Sequence, residues 1–265
     1  MKKRWFFVSL TVTLWLLTPF QVHAQEDLAA PQPPWFSLWE KAKAFEKKGS
    51  YLEARGVYES LLGDKTLGDH APRVRKAFEA LNLKILFSPL ATSDSLFHEV
   101  VPGDTLSGIA KKYGTTIELL QKSNHIKGEK IYVGKKIKVS QARFSILVRK
   151  RRNTLTLLAN GKPVKIYRVA TGEKGSTPVG TFHVVNKLKN PTWFHAGLVL
   201  PPDSPDNILG TRWIGFDRPG YGVHGTTLPN TIGTQSSKGC VRMLNKDVEE
   251  LYDILPLGTR VLVRE

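Results

Sequence analysis

Residues 236–243 read SSKGCVRM and contain Cys240, the one cysteine of the chain. A cysteine that transfers an acyl group needs a base to form its thiolate and backbone donors for the oxyanion. His224 lies 16 residues upstream, followed directly by Gly225, and a neighbouring imidazolium lowers the pKa of a thiol and keeps its thiolate available. Gly239 permits an unusual backbone conformation. The pattern indicates a cysteine nucleophile, and a buried cysteine that acts as a small apolar side chain is the alternative.

Outward from this stretch, the sequence is typical of β-strands. Asn160-Gly161 is a strong two-residue hairpin signal between two alternating segments. The predicted elements are strands at 144–148, 154–159, 163–170, 181–185 and 259–263 and one helix at 248–255. We therefore predict a mainly β domain over residues 141–265.

The composition limits the classes of protein that the chain can belong to. Of 265 residues, 41% are hydrophobic, which argues against wholesale disorder. A single cysteine excludes an intramolecular disulfide framework and a four-cysteine zinc site. Lys and Arg number 39 against 23 Asp and Glu, a formal net charge of +16, and most of the excess lies in residues 98–265. The excess indicates an anionic partner, and without zinc-finger spacing or a long basic helix we expect a bacterial cell wall and no nucleic acid.

The chain begins with the three-part layout of an export signal. A basic segment at residues 2–4 precedes an apolar run from Trp5 to Leu17, and Val22-His23-Ala24 fits a cleavage site. This layout predicts a signal peptide over residues 1–24. The run of 13 residues is too short to span a bilayer comfortably, and an uncleaved membrane anchor is the alternative. We expect the rest of the chain to be exported to the periplasm or cell wall, after a proline-rich linker at 25–34.

Residues 35–90 are predicted to be helical. Their apolar residues recur at spacings of three and four, which predicts three helices that begin near Trp35, Tyr51 and Pro72. The second resembles half of a tetratricopeptide repeat, but a solenoid needs about three such units. We expect a TPR-like hairpin that serves as a short spacer, and a protein-docking repeat is the alternative.

Residues 97–140 form the next predicted module, a small α+β unit in the order strand, helix, helix, strand. It resembles a LysM domain at Val100, Gly103–Leu106, Ile109, Ala110, Tyr113, Gly114, Leu119, Leu120, Asn124, Ile131, Gly134 and Ile137–Val139. The resemblance implies that a groove between two loops binds glycan that contains N-acetylglucosamine. The candidate glycan contacts are Gly103, Asp104, Thr105, Leu106 and Asn124. Core packing of Leu106 and a turn role for Gly103 and Asp104 are the alternatives.

Two motifs and several spaced segments mark residues 143–264. The motifs are His224-Gly225-Thr226 and Ser237-Lys238-Gly239-Cys240-Val241-Arg242-Met243. The supporting segments are 171–172, 177–182, 190–193, 207–212 and 257–261. Together they resemble the L,D-transpeptidase catalytic domain of the YkuD-like family. One departure is Lys238, where many members have histidine or asparagine, and this change could alter the pKa of the thiol or the contacts with substrate.

The resemblance implies a β-sandwich and a reaction. The Cys240 thiolate attacks the carbonyl that joins meso-diaminopimelate to the terminal D-alanine of a tetrapeptide stem, and D-alanine leaves as a thioester forms. The amine of another diaminopimelate then gives a 3-3 crosslink. His224 would act as base and acid, oriented by the Gly225 carbonyl. The amides of Gly239 and Cys240 would form the oxyanion hole. Arg242 would hold a substrate carboxylate or brace the loop.

The resemblance also implies substrate contacts by Trp193, Thr226, Ser237 and Lys238. It implies no cofactor and no metal. The expected partners are the glycan strands and tetrapeptide stems of peptidoglycan, together with carbapenem inhibitors. Hydrolysis as an L,D-carboxypeptidase, attachment of proteins to the wall and non-catalytic wall binding are alternatives. An NlpC-type peptidase has its cysteine before its histidine, and a sortase separates the two residues far more widely.

Overall fold

The structure, a computed structural model, describes residues 1, 32–195 and 197–265. The predicted signal peptide and most of the linker lie outside the described residues, except for Met1 and residues 32–34. The helical segment contains α1 (Pro34–Lys47), α2 (Tyr51–Gly63), a 3-10 turn (Lys65–His70) and α3 (Ala71–Leu86). Trp39, Tyr58 and Leu61 lie in the buried cluster that joins the three helices. Each helix begins within one residue of its predicted start.

The small module consists of β1 (Ser95–Glu99), α4 (Leu106–Tyr113), α5 (Ile117–Ser123) and β2 (Lys136–Ser140). Thr105 and Thr116 cap its helices, because their hydroxyls accept hydrogen bonds from backbone N–H groups three residues further on. Strands β1 and β2 pair antiparallel from Ser95 opposite Ser140. The first strand therefore starts two residues before residue 97, the predicted start of the module.

The C-terminal region is mainly β, as predicted. Its elements are β3 (Phe144–Arg149), β4 (Thr154–Ala159), β5 (Lys162–Arg168), β6 (Thr171–Gly172), β7 (Gly180–Lys189), β8 (Trp193–His195), β9 (Leu198–Leu200), β10 (Arg212–Phe216), β11 (Gly222–His224), β12 (Gln235–Ser237), β13 (Val241–Arg242), α6 (Asn245–Ile254) and β14 (Arg260–Arg264). The expected hairpin joins β4 to β5, and Asn160 and Gly161 both have positive φ, as a type I′ turn requires.

One eight-stranded sheet organises the C-terminal domain, in the order β13-β11-β10-β7-β14-β3-β4-β5. Its two edges come together, because Ala170, just after β5, forms a bridge with Arg242 of β13. The sheet therefore curls around its apolar side. Strands β6 and β12 pair separately next to this closure, and β8 and β9 form a two-stranded hairpin.

Residues Pro34–Glu265 form one compact unit, and their modules share contacts. Leu83 of α3 belongs to the same buried cluster as Ile146, Val261 and Leu251 of the C-terminal domain. Burying such a leucine contributes roughly 1.5–3 kcal/mol. The helical segment therefore supplies part of the core of the C-terminal domain and is more than a spacer.

The small module also contacts the C-terminal domain, at the end of α6. The Thr116 hydroxyl donates to the backbone carbonyl of Asp253, and Lys122 Nζ lies 2.6 Å from a carboxylate oxygen of the same residue. A second ion pair joins Glu118 to Lys189 at 2.8 Å. These bonds fix the module against α6, the helix that follows β13.

The described residues lack two features. Among them, no helix has both the length and the apolar character that crossing a membrane requires. Nor do the described residues contain a group of three or more His, Cys, Asp or Glu side chains placed to hold a metal ion.

Candidate active site

The parallel pairing of β11 with β13 brings the two sequence motifs together. Val223 lies opposite Val241, and His224 lies opposite Arg242. Both valines are fully buried in the core. Because side chains alternate along a strand, His224 and Arg242 share the face opposite to the two valines, and Cys240 directly precedes β13. The pairing therefore brings the two motifs side by side at the edge where the sheet closes.

His224 is held as a neutral imidazole. Its ring is 3% exposed, and Nδ1 lies 2.7 Å from the Gly225 carbonyl oxygen, to which it donates. The Trp213 ring stacks on it at a centroid distance of 6.1 Å. Burial lowers the pKa of His224 to about 4, against a partial rise from the Gly225 carbonyl. With Nδ1 protonated, Nε2 carries the lone pair that a base requires.

Cys240 is held as a thiol in the resting state. Burial raises its pKa, and the backbone N–H of Gly222 and the Arg242 guanidinium oppose part of that rise. Its Sγ donates to the Gly220 carbonyl at 3.2 Å. The resting pair is therefore a thiol and an imidazole, and the thiolate forms only when a proton moves to His224.

Gly239 has the special backbone that the sequence predicts. Its φ is +130°, and a Cβ there would lie 2.9 Å from the Tyr221 ring. Its N–H donates to Ser237 Oγ at 3.1 Å, and that hydroxyl donates to the Cys240 carbonyl at 2.6 Å. Of the two amides expected in the oxyanion hole, the Gly239 amide is thus engaged within its own loop. Ser237 is 2% exposed and holds this loop.

Arg242 is buried, with 5% of its surface exposed. One guanidinium nitrogen donates to the Thr231 hydroxyl at 3.0 Å. Within the described residues, its Nε is buried and has no hydrogen-bond partner. The side chain therefore braces the neighbouring loop and keeps one donor unused, so the two roles left open by the sequence are compatible.

The other predicted substrate residues have different environments. Thr226 is 4% exposed, and its hydroxyl accepts a bond from the Leu228 N–H, so it holds a turn. Lys238 is exposed, and Trp193 begins the β8–β9 hairpin. That hairpin exposes Phe194, at 74%, and Val199, at 64%. The apolar hairpin was missed by the sequence analysis, although the Leu198-Val199-Leu200 run was visible.

The small module uses most of its predicted glycan residues internally. Leu106 is 2% exposed and lies in the module core. Asp104 accepts bonds from His98 and from the Val101 N–H, Thr105 caps α4, and Asn124 bonds both backbone groups of Lys138.

The segment just before β2 carries other exposed side chains close to the first predicted loop. This segment lies beside the residues that lead into that loop, because Val100 exchanges backbone hydrogen bonds with Gly134 and Lys135. Exposed apolar side chains here are Val101, Tyr132 and Val133, at 53%, 57% and 65%. The sequence analysis missed these residues. Gly103, with φ +90°, is exposed at the first loop.

The fold and the site define a mainly β domain with a half-buried cysteine and a buried histidine on neighbouring segments, preceded by a small α+β module. Residues 143–263 match the L,D-transpeptidase catalytic domain family (YkuD), and residues 98–140 match the LysM domain family. YkuD of Bacillus licheniformis, named as an L,D-transpeptidase, is 35% identical over 176 residues, which are 63% of this chain and 98% of the relative. The chain belongs to the L,D-transpeptidase family.

The chain is also similar to a second curated relative and to a solved structure. YqjB of Bacillus subtilis (strain 168), also named as an L,D-transpeptidase, is 41% identical over 126 residues, covering 45% of this chain and 70% of the relative. A crystal structure of L,D-transpeptidase 3 from Mycobacterium tuberculosis, in complex with a faropenem-derived adduct, has a TM-score of 0.41 and 19% identity. That similarity covers 50% of this chain and 66% of the mycobacterial chain.

Proposed function

We propose that the protein is an exported peptidoglycan L,D-transpeptidase that forms 3-3 crosslinks through a thioester on Cys240. The observation that carries the proposal is the parallel β11–β13 pair, in which His224 lies opposite Arg242, two residues beyond Cys240, and the imidazole donates to the Gly225 carbonyl. Membership of the family supports the same reaction class.

The first half-reaction moves one proton twice. His224 Nε2 takes the thiol proton as Sγ attacks the carbonyl carbon between diaminopimelate and D-alanine. The resulting imidazolium then gives this proton to the leaving D-alanine amine as the C–N bond breaks, and the thioester remains. Because the resting pair is neutral, the nucleophilic thiolate forms only when His224 takes the proton of Sγ.

Two backbone amides are proposed to stabilise the negative charge on the tetrahedral intermediate. The Cys240 amide is the proposed oxyanion donor, and the Gly239 amide joins it when Ser237 releases its bond. The buried, unpaired Nε of Arg242, within the described residues, is proposed to donate to a substrate carboxylate. Trp193 and Lys238 are proposed to contact the stem at the rim of the site.

The second half-reaction uses the amine of another diaminopimelate. His224 accepts a proton from this amine, the amine attacks the thioester, and the sulfur leaves as the thiol is restored. Water in place of the amine would give an L,D-carboxypeptidase, and a protein amine would give attachment to the wall. A carbapenem presents a strained carbonyl beside a carboxylate, so we propose that it acylates the same sulfur.

The small module is proposed to hold the glycan strand. Its exposed Tyr132, Val133 and Val101 offer the apolar and aromatic surface on which sugar rings pack. Gly103 has no side chain, so the first loop can approach the glycan strand closely. Binding by this module keeps the site near its insoluble substrate and raises the effective concentration of stems. Such a substrate requires export to the periplasm or cell wall.

Purified disaccharide-tetrapeptide incubated with the full chain tests the reaction. Transpeptidation gives a dimer that has lost one D-alanine, and hydrolysis gives a tripeptide, which mass spectrometry separates. Cys240→Ala is the matched control and gives neither product. If the wild-type chain forms neither product while its thiol reacts with Ellman's reagent, the proposal is wrong and non-catalytic wall binding takes its place.

A further inference from the structure

Asn245, the first residue of α6, uses its side chain on two loops of the site. Its Oδ1 accepts a hydrogen bond from the Thr226 N–H at 2.9 Å and one from the Thr211 N–H at 3.3 Å. The N-cap of the helix is Leu244, which makes no side-chain capping bond. The amide oxygen of Asn245 therefore stabilises tertiary contacts between loops.

One of those bonds acts on the group that orients His224. The Thr226 N–H and the Gly225 carbonyl belong to the same peptide unit, which is planar and trans, so the two point in opposite directions. Asn245 holds the N–H side, and the carbonyl side receives the His224 Nδ1–H at 2.7 Å. A continuous chain of two hydrogen bonds thus joins Asn245 to the imidazole.

The glycines of both loops fit around this oxygen. A Cβ on Gly210 or on Gly225 would collide with Asn245 Oδ1. The preceding peptide is also fixed, because the Gly225 N–H donates to the Arg212 carbonyl at 3.1 Å. The Gly225 carbonyl is therefore held from both neighbouring peptide planes, and Asn245 is the side chain that holds one of them.

We infer that Asn245 is a positioning residue, which fixes the Gly225–Thr226 peptide and through it keeps His224 in the Nδ1–H form. The inference rests on the proposed function, because that form leaves Nε2 free to take the Cys240 proton. The sequence motifs did not include Asn245, which lies five residues beyond Cys240.

Two variants of equal size separate positioning from stability. Asn245→Leu keeps the shape and removes the acceptor, and we expect acylation by meropenem to slow about 10- to 100-fold, as for the loss of outer partners of metal-bound histidines. Asn245→Asp keeps an acceptor oxygen at the same place and should retain most of the rate. Asn82→Leu in α3 is the control, because it removes a 3.1 Å hydrogen bond from this asparagine to the Val164 carbonyl of β5.

The decisive readout is the imidazole itself. The ¹⁵N spectrum of histidine-labelled full chain, assigned with His224→Gln, reports which ring nitrogen of His224 carries the proton. Wild type, Asn245→Asp and Asn82→Leu should show Nδ1–H, whereas Asn245→Leu should show a mixture with the Nε2–H form. If Asn245→Leu does not fold, Asn245→Ala takes the place of that variant in both measurements, because it removes the same acceptor.

The outcomes distinguish the role of Asn245 from the proposed function. A folded Asn245→Leu chain with the wild-type tautomer and the wild-type acylation rate overturns the inference, even if its melting temperature falls. A wild-type chain that meropenem does not acylate contradicts the proposed function, and the tautomer comparison still decides the role of Asn245.

Discussion

Acidification should destabilise the fold through one buried ring. The imidazole of His224 is 3% exposed, and burial lowers its pKa to about 4, whereas an unfolded histidine has a pKa of about 6.5. Between these values the unfolded chain binds a proton that the folded chain refuses. Stability that depends on His224 is therefore complete above pH 6.5 and is lost as the pH falls toward 4.

The size of the effect follows from the two pKa values. Lowering the pH from 7 to 5 should remove about 2 kcal/mol from the free energy of unfolding through this residue alone, at 1.36 kcal/mol for each pKa unit of difference. Other titrating groups add their own contributions over the same range. A comparison with His224→Gln removes these contributions, because the variant keeps every other group.

Urea unfolding followed by tryptophan fluorescence at pH 7 and pH 5 provides the measurement. Wild type should lose about 2 kcal/mol more than His224→Gln between the two pH values. An equal loss in both proteins, within about 0.5 kcal/mol, would refute the assignment of a buried neutral ring. The base proposed for the thiol would then rest in its charged form at mildly acidic pH.

Three further predictions concern single side chains. Cys240→Ala should abolish the mass increase with meropenem in intact-protein mass spectrometry, with the melting temperature nearly unchanged, and any remaining adduct would place the nucleophile elsewhere. Gly239→Ala should cost about 1–3 kcal/mol because φ is +130°, measured by urea unfolding. Tyr221→Ala in the same chain should relieve the 2.9 Å contact but not this strain, and full recovery would show that the backbone is relaxed. Leu83→Ala should cost about 2–5 kcal/mol, and a smaller loss would mean that α3 contributes little to the catalytic core.

Local signals in the sequence predicted the regular elements well. The helix starts near Trp35 and Tyr51 follow from apolar spacing, and the β4–β5 hairpin follows from Asn160-Gly161, where both residues have positive φ. The motif around Cys240 also predicted its partner, because His224 and the adjacent Gly225 lie close in the chain. These features depend on a few neighbouring residues, so a local pattern is sufficient.

Other features depend on contacts between distant segments, and no local pattern reports them. Strands β10, β11 and β13 have two to five residues and contain Gly or Arg, so their alternation is too short to detect. The engagement of the Gly239 amide with Ser237 depends on the path of one loop. Asn245 acts on Thr226 and Thr211, which lie 19 and 34 residues away in sequence.

The contacts between the small module and α6 set the distance between this module and the active site. The Thr116 and Lys122 bonds to Asp253, and the Glu118 ion pair with Lys189, join the module to α6 and β7. A glycan strand gripped by the module would then present its stems to Cys240 at a set distance and from a set side. Such an enzyme would place its crosslinks at positions set by the repeat of the glycan strand.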